Sequence, residues 1–276
     1  MLFADVVATS GAVGATSSRT AKAQALADLL ARAQPEEIEP LVGFLVGEPR
    51  QGRVGVGWKT LQSAADSEGG ADRVDDASLS VAEVDRAITE LAGLSGPGST
   101  LARKALLADV FGRASAEETT FLFRLLGGDL RQGALAGVMA DAVAKASGVP
   151  ATVVRRAVML GGRLDEAARI ALTQGRPGLE AVQLRVGRPV QPMLASTATS
   201  VTEAVEAMSS GARSSGATSS GATSSGAPGA SSVEWKLDGI RIQVHRSGDD
   251  VVIFTRNLND ITARLSGVVA LVRALP

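Results

Sequence analysis

The 276-residue sequence contains no cysteine and a single histidine, His245. The absence of cysteine excludes disulfides and thiolate metal sites, and one histidine excludes a zinc site built from several histidines. No run of about eighteen apolar residues occurs, and Asp5 stands in the first segment without a basic stretch before it, so neither a membrane span nor a secretory signal is predicted. We therefore expect a cytoplasmic protein that does not bind membranes.

Charge is nearly balanced overall, at −1, but it is unevenly distributed along the chain. Residues 1–100 carry 8 basic and 14 acidic side chains, residues 101–190 carry 13 and 8, and residues 191–276 carry 7 and 7. The middle third is therefore basic by five, since 13 exceeds 8 by that number. A basic excess is typical of a surface that faces nucleic-acid phosphates, and an ordinary solvated helical surface is the alternative.

Residues 1–186 show the periodicity of helices. In "SRTAKAQALADLLARAQ" the apolar residues recur at spacings of three and four and share one face. Ser80 with Glu83, and Ser115 with Glu118, fit the capping box that begins a helix. Glycine-containing turns separate further predicted helices; these lie near 99–113, 116–126, 134–146, 150–160 and 163–173. The sequence thus predicts an N-terminal all-α domain.

Three stretches break this helical pattern. "RQGRVGVGWKT", from Arg50, is too rich in glycine for a helix, and "SAADSEGGADRVDDAS", from Ser63, is polar enough to be a mobile loop. Residues 209–232 are nearly pure Ser, Gly, Ala and Thr, and they repeat the unit "SSGAT". Such a tract buries too little apolar surface to offset its ordering entropy, so we expect disorder there, preceded by a connecting segment at 187–208.

From residue 233 onward the apolar period changes from helical to two. "VEWKLDGIRIQVHRSGDDVVIFTRN" alternates apolar and polar residues around two turn signals, Asp238-Gly239 and Ser247-Gly248-Asp249. "ARLSGVVALVRALP" then predicts an amphipathic helix. Residues 233–276 are therefore predicted to begin a second domain with strands, and the chain as a whole is predicted to be mainly α.

Lys236 stands on a predicted strand, two residues before Asp238-Gly239 and five before Arg241. An amine attacks a phosphate only when neutral, so a nucleophilic lysine needs neighbouring cations or desolvation that lower its pKa, with fixed arginines to hold the phosphate. Asp-Gly between alternating strands is also a strong hairpin signal, so the motif could be turn chemistry beside an idle lysine. The motif alone leaves both readings open.

"EWKLDGIRIQVHR" followed by "VVIFTRNLNDIT" resembles the first two nucleotidyltransferase motifs of ATP-dependent DNA ligases. "RPVQPMLAS", from Arg188 to Ser196, resembles the extended segment that leads into their adenylation domain. "LRQGALAGVMADAVAKA" and "FLVGEPRQGRVGVGWKTL" resemble the family's N-terminal helical DNA-binding domain. The resemblance covers most of the chain in the family's order, and it is strongest to bacterial ligases that carry this N-terminal domain.

The resemblance implies a role for particular residues. Lys236 corresponds to the nucleophile that attacks the α-phosphate of ATP, and Glu234 to the residue that helps hold the adenine. Arg241 corresponds to a residue that contacts the sugar of the nucleotide, and Arg256 corresponds to a residue near the ribose or the nick. These positions predict the start of an α+β nucleotidyltransferase domain, and the implied activity is that of an ATP-dependent DNA ligase. No role is predicted for His245.

DNA contacts are expected in the helical domain. Arg131 and the backbone around Gly133 are the first candidates, because a glycine at a helix start lets amides approach phosphates closely. Lys104 is the third, and Arg155, Arg156 and Arg163 could add nonspecific phosphate contacts. The expected partner is nicked duplex DNA, read by shape and backbone since a ligase must seal any sequence. We expect a monomer.

The sequence ends at Pro276, before the later motifs of the family. The expectation is therefore an incomplete N-terminal portion of a ligase, with ATP as cosubstrate and with the Mg²⁺ ligands beyond residue 276; no metal ligand is assigned within the chain. Two alternatives remain. The chain could be a noncatalytic fragment that binds duplex DNA, or an RNA ligase or capping-type enzyme, although the latter would leave the helical domain unexplained.

Overall fold

The computed structural model describes residues 1–52, 54–67, 79–130, 136–190, 197–214, 235 and 238–275. The chain divides into two compact units, Met1–Val190 and Gln191–Pro276. The first unit is helical in the part described, and the second contains a two-stranded sheet with helices. The mainly α fold class predicted from the sequence is confirmed. None of the helices described is both long enough and apolar enough to cross a membrane.

Ten helices are described in the first unit. They are α1 (Phe3–Gly14), α2 (Arg19–Leu30), α3 (Ile38–Val46), α4 (Trp58–Ser67), α5 (Val81–Gly93), α6 (Ser99–Arg113), α7 (Ala116–Gly127), α8 (Ala136–Ser147), α9 (Ala151–Gly161) and α10 (Leu164–Glu180). All ten helices contribute buried residues to the hydrophobic core, in which α1, α2, α3, α8 and α10 pack on one another. Each fully buried leucine in this core contributes about 1.5–3 kcal/mol through the hydrophobic effect.

Three phenylalanine rings contact one another within this core. Phe3 of α1 contacts Phe44 of α3 and Phe121 of α7 edge to face, with ring centroids 5.8 and 5.5 Å apart. Such contacts add about 0.5–1.5 kcal/mol to the burial of the rings. The first residues of the chain are therefore part of the core, although no separate helix was predicted over the residues of α1.

Both predicted capping boxes are present. The hydroxyl of Ser80 accepts from the backbone N–H of Glu83, whose carboxylate accepts from the backbone N–H of Ser80, and Ser115 and Glu118 repeat the arrangement at α7. Each box satisfies two backbone donors that a helix start would otherwise leave unpaired. The glutamates therefore fix where α5 and α7 begin, as the sequence predicts.

Two expectations about the first unit were wrong. Helix α4, Trp58–Ser67, covers residues that were predicted to be glycine-rich coil and mobile loop, because Leu61 and Ala64 are buried and give the segment an apolar face. Residues 68–78 of the predicted loop lie outside the described residues. The last helix is longer than predicted, because α10 continues to Glu180 across a kink at Gly175, where φ is 63°.

The second unit contains α11 (Val201–Ser214), β1 (Ile242–Ser247), β2 (Asp250–Thr255), a 3₁₀ turn (Thr262–Arg264) and α12 (Ser266–Arg273). Helix α11 lies in the predicted connecting segment and runs into the first residues of the tract expected to be disordered; residues 215–232 of that tract lie outside the described residues. The predicted helix near the end of the chain is present as α12.

The predicted hairpin is present in the second unit. Strands β1 and β2 pair antiparallel, with Ile242 opposite Thr255 and Ser247 opposite Asp250. Only Gly248 and Asp249 connect them, and Gly248 has φ of 59°, which a type II′ turn requires at its first central position. The alternating sequence and the glycine therefore determine this register together.

Candidate functional site

Arg241 and Arg256 lie at the open end of the hairpin. Ile242 pairs with Thr255, so the two arginines occupy the next positions along the two strands. Both side chains are exposed, and neither makes a hydrogen bond or an ion pair within the described part of the chain. Like charges at opposing positions destabilise a strand pair. An anion bound between them would remove this repulsion, so the hairpin end is suited to a phosphate-bearing ligand.

The two faces of the hairpin differ. Side chains alternate along a strand, so Gln243 and Phe254 lie on the same face as the two arginines. His245 also belongs to this face, and its ring contacts that of Phe254 edge to face at 5.3 Å. On the opposite face, the guanidinium of Arg246 donates to the carbonyl of Leu275 at 2.5 Å. Helix α12 therefore covers the face away from the arginines.

A three-residue loop follows β2 and begins with Arg256. The backbone N–H of Leu258 donates to the carbonyl of Thr255 at 2.9 Å, and the N–H of Thr255 donates to the carbonyl of Asn259 at 2.9 Å. Residues 259–261 then run back along β2, with Asp260 opposite Phe254. Hydrogen bonds from Thr262 hold the pKa of Asp260 below its usual range. The loop after β2 is therefore closed by hydrogen bonds on both sides.

The predicted nucleophile is not placed by the structure. Lys236 and Glu234 lie outside the described residues, so their distances to the arginines stay predictions. Between them Trp235 is 94 % exposed, and after them Asp238 and Gly239 are exposed. The structure therefore brings together Arg241 and Arg256 and leaves the remaining two predicted nucleotide contacts to the sequence.

Among the first three candidates for DNA contact, only Lys104 is described. It is exposed on α6 and makes no hydrogen bond or ion pair within the described ranges, whereas Arg131 and Gly133 lie outside those ranges. The three additional candidates have partners within the protein. They are Arg155, which pairs with Asp141, Arg156, which donates to the carbonyl of Val182 at 3.4 Å, and Arg163, which pairs with Asp165. These three are therefore weaker candidates for phosphate contact than Lys104.

Sequence reasoning missed the neighbour of Lys104. The guanidinium of Arg103 donates to the carbonyls of Val54 at 3.2 Å, Gly55 at 2.9 Å and Leu94 at 2.6 Å. It thereby joins α6 to the glycine-rich segment before α4 and to the end of α5. No sequence signal separates Arg103 from Lys104, because adjacent cations on a helix look alike until the carbonyls around them are known.

The described residues fit a nucleotide better than they fit a metal ion. No group of three or more His, Cys, Asp or Glu side chains that could hold a metal ion occurs among residues of the described ranges. Mg²⁺ prefers several carboxylate, carbonyl or water oxygens in octahedral geometry. The arginine pair at the hairpin end matches the charge of a nucleotide phosphate.

Two protein-family models match the chain. One, described as the DNA ligase N terminus, matches residues 65–144, and the other, described as the ATP dependent DNA ligase domain, matches residues 192–275. The first match falls within the helical unit, and the second covers the hairpin and its arginines. The two matches occur in the order expected from the sequence motifs.

Curated bacterial proteins match the whole chain. "Probable DNA ligase" of Rhodococcus jostii is 48% identical over 276 residues, and that of Saccharopolyspora erythraea is 48% identical over 275 residues. "Probable DNA ligase" of Mycolicibacterium gilvum is 47% identical over 278 residues. Each match covers 100% of this chain and 49–50% of the relative, so the chain spans about half the length of the curated relatives it matches. By both kinds of match, the chain belongs to the ATP-dependent DNA ligase family.

Proposed function

We propose that the chain carries the nucleotide-accepting lysine and a duplex-binding domain of an ATP-dependent DNA ligase. In the first step, the neutral amine of Lys236 attacks the α-phosphorus of ATP, a nitrogen–phosphorus bond forms, and pyrophosphate leaves. The products are lysyl-AMP and pyrophosphate, and the lysine loses one proton to solvent.

In the second and third steps the AMP is transferred and released. The 5′-phosphate at a nick attacks the phosphorus of lysyl-AMP, which restores the lysine and gives an AMP-capped 5′ end. The 3′-hydroxyl then attacks the 5′-phosphate, the phosphodiester bond forms, and AMP leaves. In this scheme Glu234 holds the adenine, while Arg241 and Arg256 contact the nucleotide or the nick.

One observation carries this proposal most directly. Arg241 and Arg256 stand at neighbouring positions with no protein partner within the described residues, close in sequence to the lysine of the motif. Two cations held in this way lower the pKa of a nearby amine and stabilise negative charge on a transferring phosphoryl group. An idle lysine beside a simple turn would not require unpaired arginines at the end of the hairpin.

The test is the intact mass of the 276-residue chain after incubation with ATP and Mg²⁺. We expect the wild-type chain to gain one AMP and Lys236→Ala to gain none, whereas Lys104→Ala, a cation in the other unit, gains one AMP as the wild type does. Labelling that persists in Lys236→Ala would remove this lysine from the assigned role.

The second candidate function is a noncatalytic domain that binds duplex DNA. It is favoured by Lys104 on α6, which is exposed and has no partner within the described residues. A wild-type chain that gains no AMP, but binds duplex DNA with an affinity that falls as salt rises, would establish this function instead. Nicked duplex as the substrate, and a monomeric state, are part of the first proposal.

A further inference from the structure

The segment that returns after Arg256 is held by a series of hydrogen bonds through Thr262. The backbone N–H and the hydroxyl of Thr262 both donate to Oδ1 of Asp260, at 2.8 and 2.6 Å. The same hydroxyl oxygen accepts from the backbone N–H of Ile253 at 2.9 Å, and the N–H of Ile261 donates to the carbonyl of Ile253 at 2.9 Å. The return segment is thereby fixed to β2 by backbone hydrogen bonds and by the side chain of Thr262.

The loop between β2 and this segment contains a strained residue. Leu258 has φ of 63°, and within the described ranges it is the one residue other than glycine with positive φ. Three-residue hairpin loops place a residue in this left-handed region at their third position, where glycine is favoured because a β-carbon is crowded there. Leucine at this position would relax toward other conformations unless neighbouring contacts prevented it. Hydrogen bonds between Thr255 and residues 258 and 259 close the loop, and the bonds of Thr262 hold the segment that follows it against β2.

Arg256 is the first residue of the same loop, so its backbone is fixed together with that of Leu258. Its side chain is exposed and has no partner within the described part. A cation that binds a phosphate from a fixed backbone loses less conformational freedom on binding than one on a mobile loop. Small displacements of such groups lower reaction rates strongly, because catalysis depends on their alignment with the reacting atoms.

We infer that Thr262, oriented by Asp260, is a positioning residue that holds Arg256 in place for nucleotidyl transfer. Neither Thr262 nor Asp260 is assigned a contact with the nucleotide; they act through the backbone of the loop. The inference rests on the proposed function, in which Arg256 contacts the nucleotide or the nick, and it adds the residues that make this contact effective.

The test is a double-mutant cycle on the 276-residue chain. Thr262→Val removes the hydroxyl at constant shape, Thr262→Ser keeps it, and both are combined with Arg256→Ala. The rate of AMP addition to the chain is measured over a range of ATP concentrations. We expect Thr262→Val to lower the maximal rate about tenfold, Thr262→Ser to lie within about twofold of wild type, and Thr262→Val to cause no further loss in the Arg256→Ala background.

Equal losses in both backgrounds would overturn the inference, because Thr262 would then support the fold without acting through Arg256. If the wild-type chain takes up no AMP, the proposed function is refuted. The effect of Thr262 on the order of the loop backbone is then measured directly. For that readout, ¹⁵N heteronuclear NOE values of Arg256 and Leu258 are compared between wild type and Thr262→Val. Values that fall in the variant support the positioning role, and unchanged values refute it.

Discussion

Replacing Arg103 by methionine tests whether one side chain organises the glycine-rich segment before α4. Methionine keeps most of the apolar stem of arginine and removes the guanidinium. The guanidinium donates to the carbonyls of Val54, Gly55 and Leu94. The carbonyls of Val54 and Gly55 accept from the same nitrogen, Nη1. The variant therefore loses the contacts that join α6 to two separate loops while leaving the helix itself intact.

The expected loss of stability follows from these contacts. A hydrogen bond from a charged donor contributes about 1.5–3 kcal/mol, and the two carbonyls that share a nitrogen count as one bond, so the gross contribution is about 3–6 kcal/mol. Nε of Arg103 is buried without a hydrogen-bond partner in the described part of the protein. That unpaired group costs about 1–3 kcal/mol. The net loss expected for Arg103→Met is about 2 kcal/mol.

Lys104→Met is the matched control, since the neighbouring cation has no partner within the described ranges. Urea unfolding should show the loss in Arg103→Met and a change below about 0.5 kcal/mol in Lys104→Met. In duplex-DNA binding, Lys104→Met should be the variant that changes. Its slope of log binding constant against log salt concentration should be shallower than that of the wild type by about 0.9 if the lysine contacts one phosphate. Equal stability of the two variants would refute the structural role of Arg103, and equal slopes of Lys104→Met and wild type would refute the phosphate contact.

Two further predictions concern the helical unit. Hydrogen bonds at the helix cap and with Arg113 lower the pKa of the Glu83 carboxylate to about 2, so the stability that it contributes above pH about 4.5 is lost as the pH falls toward 2. After discounting for solvent screening, this loss should lower the free energy of unfolding of the wild type by about 1 kcal/mol. Urea titrations of Glu83→Gln should lack this decrease. A β-carbon on Gly162 would lie 2.7 Å from the carbonyl oxygen of Pro189, whereas one on Gly148, which has a similar positive φ, would meet open space. Gly162→Ala should therefore unfold at a lower urea concentration than Gly148→Ala. Equal urea midpoints of the two variants would contradict the contact.

Local signals explain why much of the fold could be predicted. The capping boxes at Ser80 and Ser115 and the glycine in the Ser247-Gly248-Asp249 turn act through bonds within a few residues, so their sequence patterns determine them. Helices α1 and α4 depend on distant partners instead. Phe3 is buried against rings of α3 and α7, and Leu61 of α4 is fully buried; such burial is decided by residues far along the chain.

The residues of the candidate site stay predictions from the sequence motifs. The structure adds that Arg241 and Arg256 lie at neighbouring positions at the hairpin end, as the strand register requires. The left-handed Leu258 carried no sequence signal, because leucine is an unfavourable residue for that conformation. Thr262 was equally hidden, since a threonine that accepts from one strand and donates to an aspartate looks like any surface threonine in the sequence.

The basic excess of residues 101–190 overstates the surface available to DNA phosphates. Six of its arginines form ion pairs with carboxylates of the same unit: Arg113, Arg155, Arg163, Arg169, Arg176 and Arg188. A cation already paired with a carboxylate releases few counterions when it meets a phosphate, because its charge is partly neutralised beforehand. Two more arginines, Arg103 and Arg156, donate to backbone carbonyls. The cations of this stretch with neither a hydrogen bond nor an ion pair in the described part are Lys104, Arg124, Lys145 and Arg185. Under the proposed function, duplex binding by this unit should therefore depend on a few such side chains and on backbone amides.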